Sequence, residues 1–173
     1  MSRRYMPGPA SATLCDKTGA NWTFVLSREL RHPPERVWRA LTDPEQLKHW
    51  APFNADGDLG IAGNAVRLST VGTPQTTESR VKRAEYPHLL EFDWGGHDVR
   101  WQLEDYNGGT RLTLWASISR QYVSMGAAGW HICLDVLVQF VDGDPIGRLV
   151  GPELMKDERW QRLNSEYAKL FRD

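Results

Sequence analysis

The chain has 173 residues, a length typical of a single domain. Its 21 Lys and Arg residues nearly balance its 22 Asp and Glu residues, and no basic cluster stands out, so the electrostatic attraction that drives nucleic-acid binding has no evident source. No apolar run approaches the ~20 residues of a membrane-spanning helix. We therefore expect neither a nucleic-acid-binding protein nor a membrane-spanning one.

The N-terminal stretch is predicted to be a flexible leader. Residues 1–20 are rich in Pro, Gly, Ala and Ser, and they lack the hydrophobic stretch of a signal peptide. Cys15 lies in this polar leader, whereas Cys133 lies in an apolar segment, so we expect no disulfide between them. The sequence thus predicts a cytoplasmic protein with one folded domain at residues 21–173.

The next segments predict an α+β order. Residues 22–31 alternate apolar and polar side chains like a half-buried strand. Pro33-Pro34 then opens the first of two short helices, and Asp43-Pro44 opens the second. Glycine-punctuated strands follow up to Ser119, and Asn107-Gly108-Gly109 indicates a tight hairpin. We expect about six or seven strands in one antiparallel sheet with a single apolar face.

A long helix is predicted at Tyr122–Asp142, where the polar side chains form one narrow stripe and almost everything else is apolar. Such a helix packs on more than one side. One side should cover the apolar face of the sheet. The other should contact either a C-terminal extension, residues 143–173 with a helix opened by Pro152, or a second copy of the chain. The side chains expected at such a dimer interface are Ile132, Val136 and Phe140.

Four motifs follow one another in a characteristic order: VWRALTDPEQL at residues 37–47, a strand ending at Trp94, GTRLTL at residues 109–114 and Gly129-Trp130. In this order they resemble the START-like (SRPBCC) superfamily, and within it the homologues of the activator of heat-shock protein 90 ATPase, which are polyketide cyclase/Bet v 1-like. The resemblance implies a helix-grip fold, in which a curved antiparallel sheet wraps around a long C-terminal helix and encloses a cavity. It also implies binding of small apolar ligands, chaperone contacts or cyclase- and hydrolase-like chemistry.

Aromatic side chains are the strongest candidates for a ligand site, because concave binding sites are walled mostly by apolar groups. The same residues serve equally well as ordinary core. The expected wall of the cavity consists of Trp50, Phe53, Trp94, Trp101, Leu114, Trp130 and Leu134.

His131 and Asp135 are one helical turn apart, so their side chains can meet. They are candidates for an acid–base pair or for half of a metal site. The alternative is a polar pair without catalytic function. Since two ligands alone do not make a metal site, we predict no metal and no cofactor.

Three functional hypotheses follow. The first is a binding module that holds a small hydrophobic or aromatic ligand between sheet and long helix and catalyses no reaction. The second is a cyclase- or hydrolase-like enzyme that uses His131 and Asp135. The third is a protein-interaction module, either a homodimer or a chaperone contact.

Overall fold

The computed structural model describes residues 5–172. Within them, eight strands form one antiparallel sheet in the order β1-β2-β8-β7-β6-β5-β4-β3. The strands are β1 (Thr13–Asp16), β2 (Asn21–Leu30), β3 (Phe53–Ala55), β4 (Ala65–Thr70), β5 (Thr76–Glu85), β6 (Leu89–Trp94), β7 (His97–Tyr106) and β8 (Gly109–Ser119). The helices are α1 (Pro34–Thr42), α2 (Pro44–Leu47), α3 (Val123–Val141), α4 (Gly151–Met155) and α5 (Glu158–Leu170).

The predicted helix-grip fold is confirmed: the sheet curves into a half-barrel around the long helix α3. The number of strands is eight rather than six or seven. The two short helices follow the first predicted strand, β2, as expected. The predicted tight hairpin is also confirmed, because Asn107 and Gly108, with φ of 50° and 80°, connect β7 to β8. Only Gly and a few polar residues adopt such positive φ easily.

The N-terminal stretch differs from the predicted leader. Thr13–Asp16 is strand β1, which pairs with β2 at the edge of the sheet. Ahead of it, the backbone N–H groups of Ser11 and Ala12 donate to the Tyr167 hydroxyl, at 3.1 and 3.2 Å. The partner residues lie far away in the sequence, and for this reason local composition could not reveal the packing. Residues 1–4 of the predicted leader lie outside the described residues.

Helix α3 is packed on two sides, as its composition predicts. One side contacts β2 and β8 of the sheet, and the other contacts α5. The C-terminal extension is therefore the second partner of the helix. It contains two helices rather than one. Asp157 is the N-cap of the second, α5, because its side chain accepts a hydrogen bond from the Arg159 backbone N–H.

The predicted dimer face is not available on the surface. Ile132 and Val136 are 1% and 0% exposed within the core of this one chain. Phe140 is half-buried and stacks on the His49 ring at 4.6 Å. The segment Arg120–Val141 is long and apolar enough to cross a membrane by length and composition. Its enclosure between the sheet and α5 accounts for that composition.

Candidate functional site

The inner half of the space between sheet and helix is filled by aromatic rings. Trp101 lies 5.9 Å from Trp50 and 5.7 Å from Trp130, centroid to centroid, in edge-to-face arrangements. The Trp50 indole N–H donates to the Ala40 carbonyl at 2.9 Å, so its polar atom is satisfied inside the core. Phe53 lies 5.2 Å from Trp94 in the same cluster.

The outer half is an open cleft of about 540 Å³ between the sheet and the first turns of α3. Trp94 ends β6, and Trp130 reaches it from α3, with their ring centroids 5.9 Å apart. Polar side chains lie at the rim where β4, β5 and β8 reach the opening. The apolar walls are formed by Phe24, Trp94, Val99, Ala116, Ile118 and Trp130.

Two of the seven predicted ligand-binding side chains, Trp94 and Trp130, line this cleft. The other five, namely Trp50, Phe53, Trp101, Leu114 and Leu134, are buried core residues that do not border it.

Sequence reasoning missed Thr77, His97 and Ile118, which also line the cleft. A signal for Thr77 was present, because Thr77, Ser79 and Val81 alternate along the inward face of β5. Polar residues at inward positions of a strand indicate a cavity or a buried hydrogen bond.

The cleft contains two polar atoms that lack a partner. The Thr77 hydroxyl and Nδ1 of His97 are buried and accept or donate no hydrogen bond within the described part of the chain. An unsatisfied buried polar atom costs about 1–3 kcal/mol. Thr77 and His97, the residues that carry these atoms, both line the cleft.

His131 and Asp135 come together, but outside the cleft. Nε2 of His131 lies 3.8 Å from the Asp135 carboxylate. The Tyr167 hydroxyl accepts hydrogen bonds from two backbone N–H groups and donates a hydrogen bond to Nδ1 of His131, at 2.7 Å. The ring proton of His131 therefore sits on Nε2, facing Asp135. The pKa of His131 is lowered to about 4, mainly by burial and to a smaller extent by the nearby charge of the Arg28 guanidinium.

Asp135 is held by groups from distant parts of the chain. Arg28 of β2 donates to its carboxylate at 2.9 Å, and the Tyr5 hydroxyl donates at 2.6 Å. His131 itself is only 2% exposed. The pair thus joins the N-terminal segment, β2, α3 and α5, and neither of its residues lines the cleft. Among residues 5–172, no group of three or more His, Cys, Asp or Glu side chains is arranged to hold a metal ion.

A family model described as "Activator of Hsp90 ATPase homolog 1-like protein" matches residues 31–142, which is more than half of the chain. The chain belongs to this family. The predicted resemblance is thereby confirmed for its central part. The C-terminal extension with α4 and α5 lies outside the matched residues.

Solved structures share the fold of this family member. CalU16 from Micromonospora echinospora superposes with a TM-score of 0.69 at 24% identity, covering 94% of this chain and 97% of CalU16. A conserved protein of unknown function from Enterococcus faecalis, EF2215, gives 0.72 at 20% identity, covering 92% and 89%. DynU16, from the dynemicin biosynthetic locus, gives 0.64 at 23% identity, covering 73% and 50%. None of the curated proteins compared with the chain is significantly similar to it.

Proposed function

We propose that this protein binds a small uncharged molecule in the cleft between sheet and α3 and catalyses no reaction of its own. The ligand has an aromatic or otherwise apolar body and carries hydroxyl or carbonyl groups. The observation that carries the proposal is the cleft itself, which Trp94 and Trp130 border together with Thr77 and His97, two residues whose side chains each have a polar atom without a hydrogen-bond partner in the described part of the chain.

The apolar walls favour a ring system. Burying apolar surface contributes about 25 cal/mol per Å², and aromatic rings in contact gain about 0.5–1.5 kcal/mol beyond that. Trp94 is half-buried and leaves part of its indole available to a ligand. The volume of about 540 Å³ lies within the range of small-molecule sites.

The polar lining favours a neutral ligand. Threonine, serine, glutamine, tyrosine and histidine side chains line the cleft, and no Asp, Glu, Lys or Arg among the described residues does so. A charged group would lose its hydration there without gaining a counter-ion, which is unfavourable. Hydroxyl and carbonyl groups exchange hydrogen bonds with Thr77 and His97 at no such cost.

The context of the protein supports a small organic ligand. DynU16, which shares the fold, comes from a biosynthetic locus. The free thiols of Cys15 and Cys133 suit a reducing compartment, so we propose that the protein acts in the cytoplasm. A reaction centred on His131 and Asp135 is not proposed, because both belong to the buried network behind α3.

A titration with 4-ethylphenol, followed by calorimetry and tryptophan fluorescence, tests this function. The phenol ring models the apolar body and its hydroxyl models the polar group. We expect Thr77→Val to weaken binding about fivefold, the value of one hydrogen bond of about 1 kcal/mol. The matched control is Thr23→Val, which makes the same change on the outward face of β2.

A second variant closes the site. Ile118→Trp places a bulky ring in the cleft and should abolish binding while the far-UV and near-UV circular dichroism stay native. Equal affinity of the wild type and the Ile118→Trp variant for 4-ethylphenol would show that the cleft is not the binding site.

A further inference from the structure

A second cavity lies behind the cleft, and we name it the side pocket. Its volume is about 180 Å³. One wall is the face of α3 that carries Gly126, Gly129 and Cys133, and the opposite wall is Val150 and Leu154 of the C-terminal extension. One wall of the side pocket is therefore built by a part of the chain that the family model does not cover.

The side pocket adjoins the cleft. Trp94, Ile118 and Trp130 border both cavities. A molecule held against these three side chains in the cleft can extend a substituent past them into the side pocket. The two cavities are therefore neighbours that share these three side chains as a common wall.

The lining of the side pocket selects an apolar substituent. Its described wall residues carry no charged, hydroxyl or amide side chain. The Cys133 thiol is no exception, because burial raises its pKa to about 12 and keeps it uncharged. A dry apolar cavity of about 150 Å³ accommodates benzene. A space of about 180 Å³ therefore accepts a phenyl ring or a short alkyl group.

The glycine at position 129 keeps this space open. A Cβ added to Gly129 would meet no atom within 4 Å, so no close packing requires glycine there. Glycine inside a helix nevertheless costs stability relative to alanine. Gly126 differs, since its added Cβ would approach Cδ1 of Ile118 at 3.0 Å. Gly129 is thus the position at which a larger side chain would occupy the side pocket.

The opposite wall is fixed in place. Arg148 donates to the carbonyls of Ala51 and Phe53, both at 2.8 Å. Gly151, with φ of 73°, lies so close to β4 that an added Cβ would approach the Val71 carbonyl oxygen at 2.7 Å. The C-terminal extension is therefore anchored on both sides of Val150.

We propose that the side pocket is a specificity subsite, which takes an unbranched alkyl group of about four carbons or a phenyl group attached to the ligand in the cleft, with Gly129 as its size-determining residue. This inference rests on the proposed binding function. It adds the second half of the ligand: a polar aromatic part in the cleft and a compact apolar substituent between α3 and the C-terminal extension.

A series of 4-alkylphenols tests the subsite. Wild-type affinity should rise about fourfold for each added methylene from 4-ethylphenol to 4-butylphenol, the gain expected for burying a CH₂ group. From 4-butylphenol to 4-hexylphenol the affinity should stay constant, because the side pocket is then full. Gly129→Leu should keep the wild-type affinity for 4-ethylphenol and lose the gain with 4-butylphenol. Gly129→Ala is the matched control and should keep at least half of that gain.

A second variant changes the opposite wall of the side pocket, which the C-terminal extension forms. Val150→Phe fills the side pocket without altering α3, so it should lose the gain with 4-butylphenol as Gly129→Leu does. If both variants kept the full gain from ethyl to butyl, the subsite would be refuted while the proposed cleft function stood. If no phenol in the series bound to the wild type, the cleft function itself would be refuted, and the subsite with it.

Discussion

His131 shows how a polar residue can look catalytic in the sequence and serve stability in the structure. Its Nδ1 accepts from Tyr167, and its Nε2–H faces Asp135. Asp135 in turn receives hydrogen bonds from Arg28 and Tyr5. The histidine stays neutral because burial, together with the Arg28 charge, disfavours the imidazolium. A buried network of this kind stabilises one arrangement of the segments it connects.

A pH-dependent stability follows from the low pKa of His131. The unfolded chain takes up a proton near the ordinary histidine pKa of about 6.5, whereas the folded chain takes it up only at about 4. Between these values the unfolded state binds more protons, so the free energy of unfolding falls as the pH falls, by about 3 kcal/mol over the window. We expect His131→Gln to remove the part of this pH dependence that comes from His131. Urea denaturation at pH 7 and pH 4.5 measures the free energy of unfolding of both proteins.

The difference between the wild type and His131→Gln should accordingly narrow at the lower pH. His49→Gln, which changes an exposed histidine, is the control and should keep the wild-type dependence. A difference that stayed constant between the two pH values would contradict the role of His131.

Only some of the residues of the candidate site could be predicted from the sequence. Aromatic content pointed to Trp94 and Trp130, and both line the cleft. It could not separate them from Trp50 and Trp101, because all four are apolar inward residues and differ only in how far along the cavity they lie. The distinction depends on how the helices pack on the sheet, since Trp130 belongs to α3 and Trp50 follows α2.

At the scale of elements, the C-terminal extension is held to the sheet by Arg148. Its guanidinium donates to three backbone carbonyls, those of Leu47, Ala51 and Phe53. Leu47 ends α2, Ala51 lies in the connection that follows, and Phe53 begins β3. One side chain therefore connects the extension to two elements at the far edge of the molecule.

Arg148→Met should lower the free energy of unfolding by about 2–3 kcal/mol, because it removes the charged hydrogen bonds to the carbonyls of the buried residues Ala51 and Phe53. The methionine keeps most of the apolar stem. Guanidinium denaturation measures the loss, and faster limited proteolysis between residues 143 and 157 would locate it. Arg39→Met, at an exposed position on α1, should change the stability by less than about 0.5 kcal/mol. Equal stability of the two variants would contradict the anchoring role.

Elements also show where sequence reasoning reached its limit. The two-sided packing of α3 was predictable, because its polar residues occupy one stripe. Strand β1 was not, since TLCD in a polar, Pro-rich context carries no strand pattern. Its structure comes from pairing with β2, which supplies a ready edge. Tertiary contact, rather than local propensity, decides such a segment.

For the whole molecule, the prediction of the fold rested on motif order and on the apolar surface of α3 together. The motifs located the family, and the excess apolar surface required a second partner for the helix. Sequence alone left open whether that partner was the chain itself or another copy. The described chain covers α3 with its own α5. Its core therefore closes internally.

The internal closure predicts how the molecule responds when the middle of α3 is truncated. Ile132 is 1% exposed in the core, so Ile132→Ala should lower the free energy of unfolding by about 2–5 kcal/mol by creating a cavity. It should leave the sedimentation coefficient of the folded protein unchanged. Phe140→Ala is the control. The Phe140 ring is half-buried against His49, so this variant should lower the free energy of unfolding by less than Ile132→Ala does. A shift of Ile132→Ala toward a lighter folded species, with stability unchanged, would instead place Ile132 in an interface between copies.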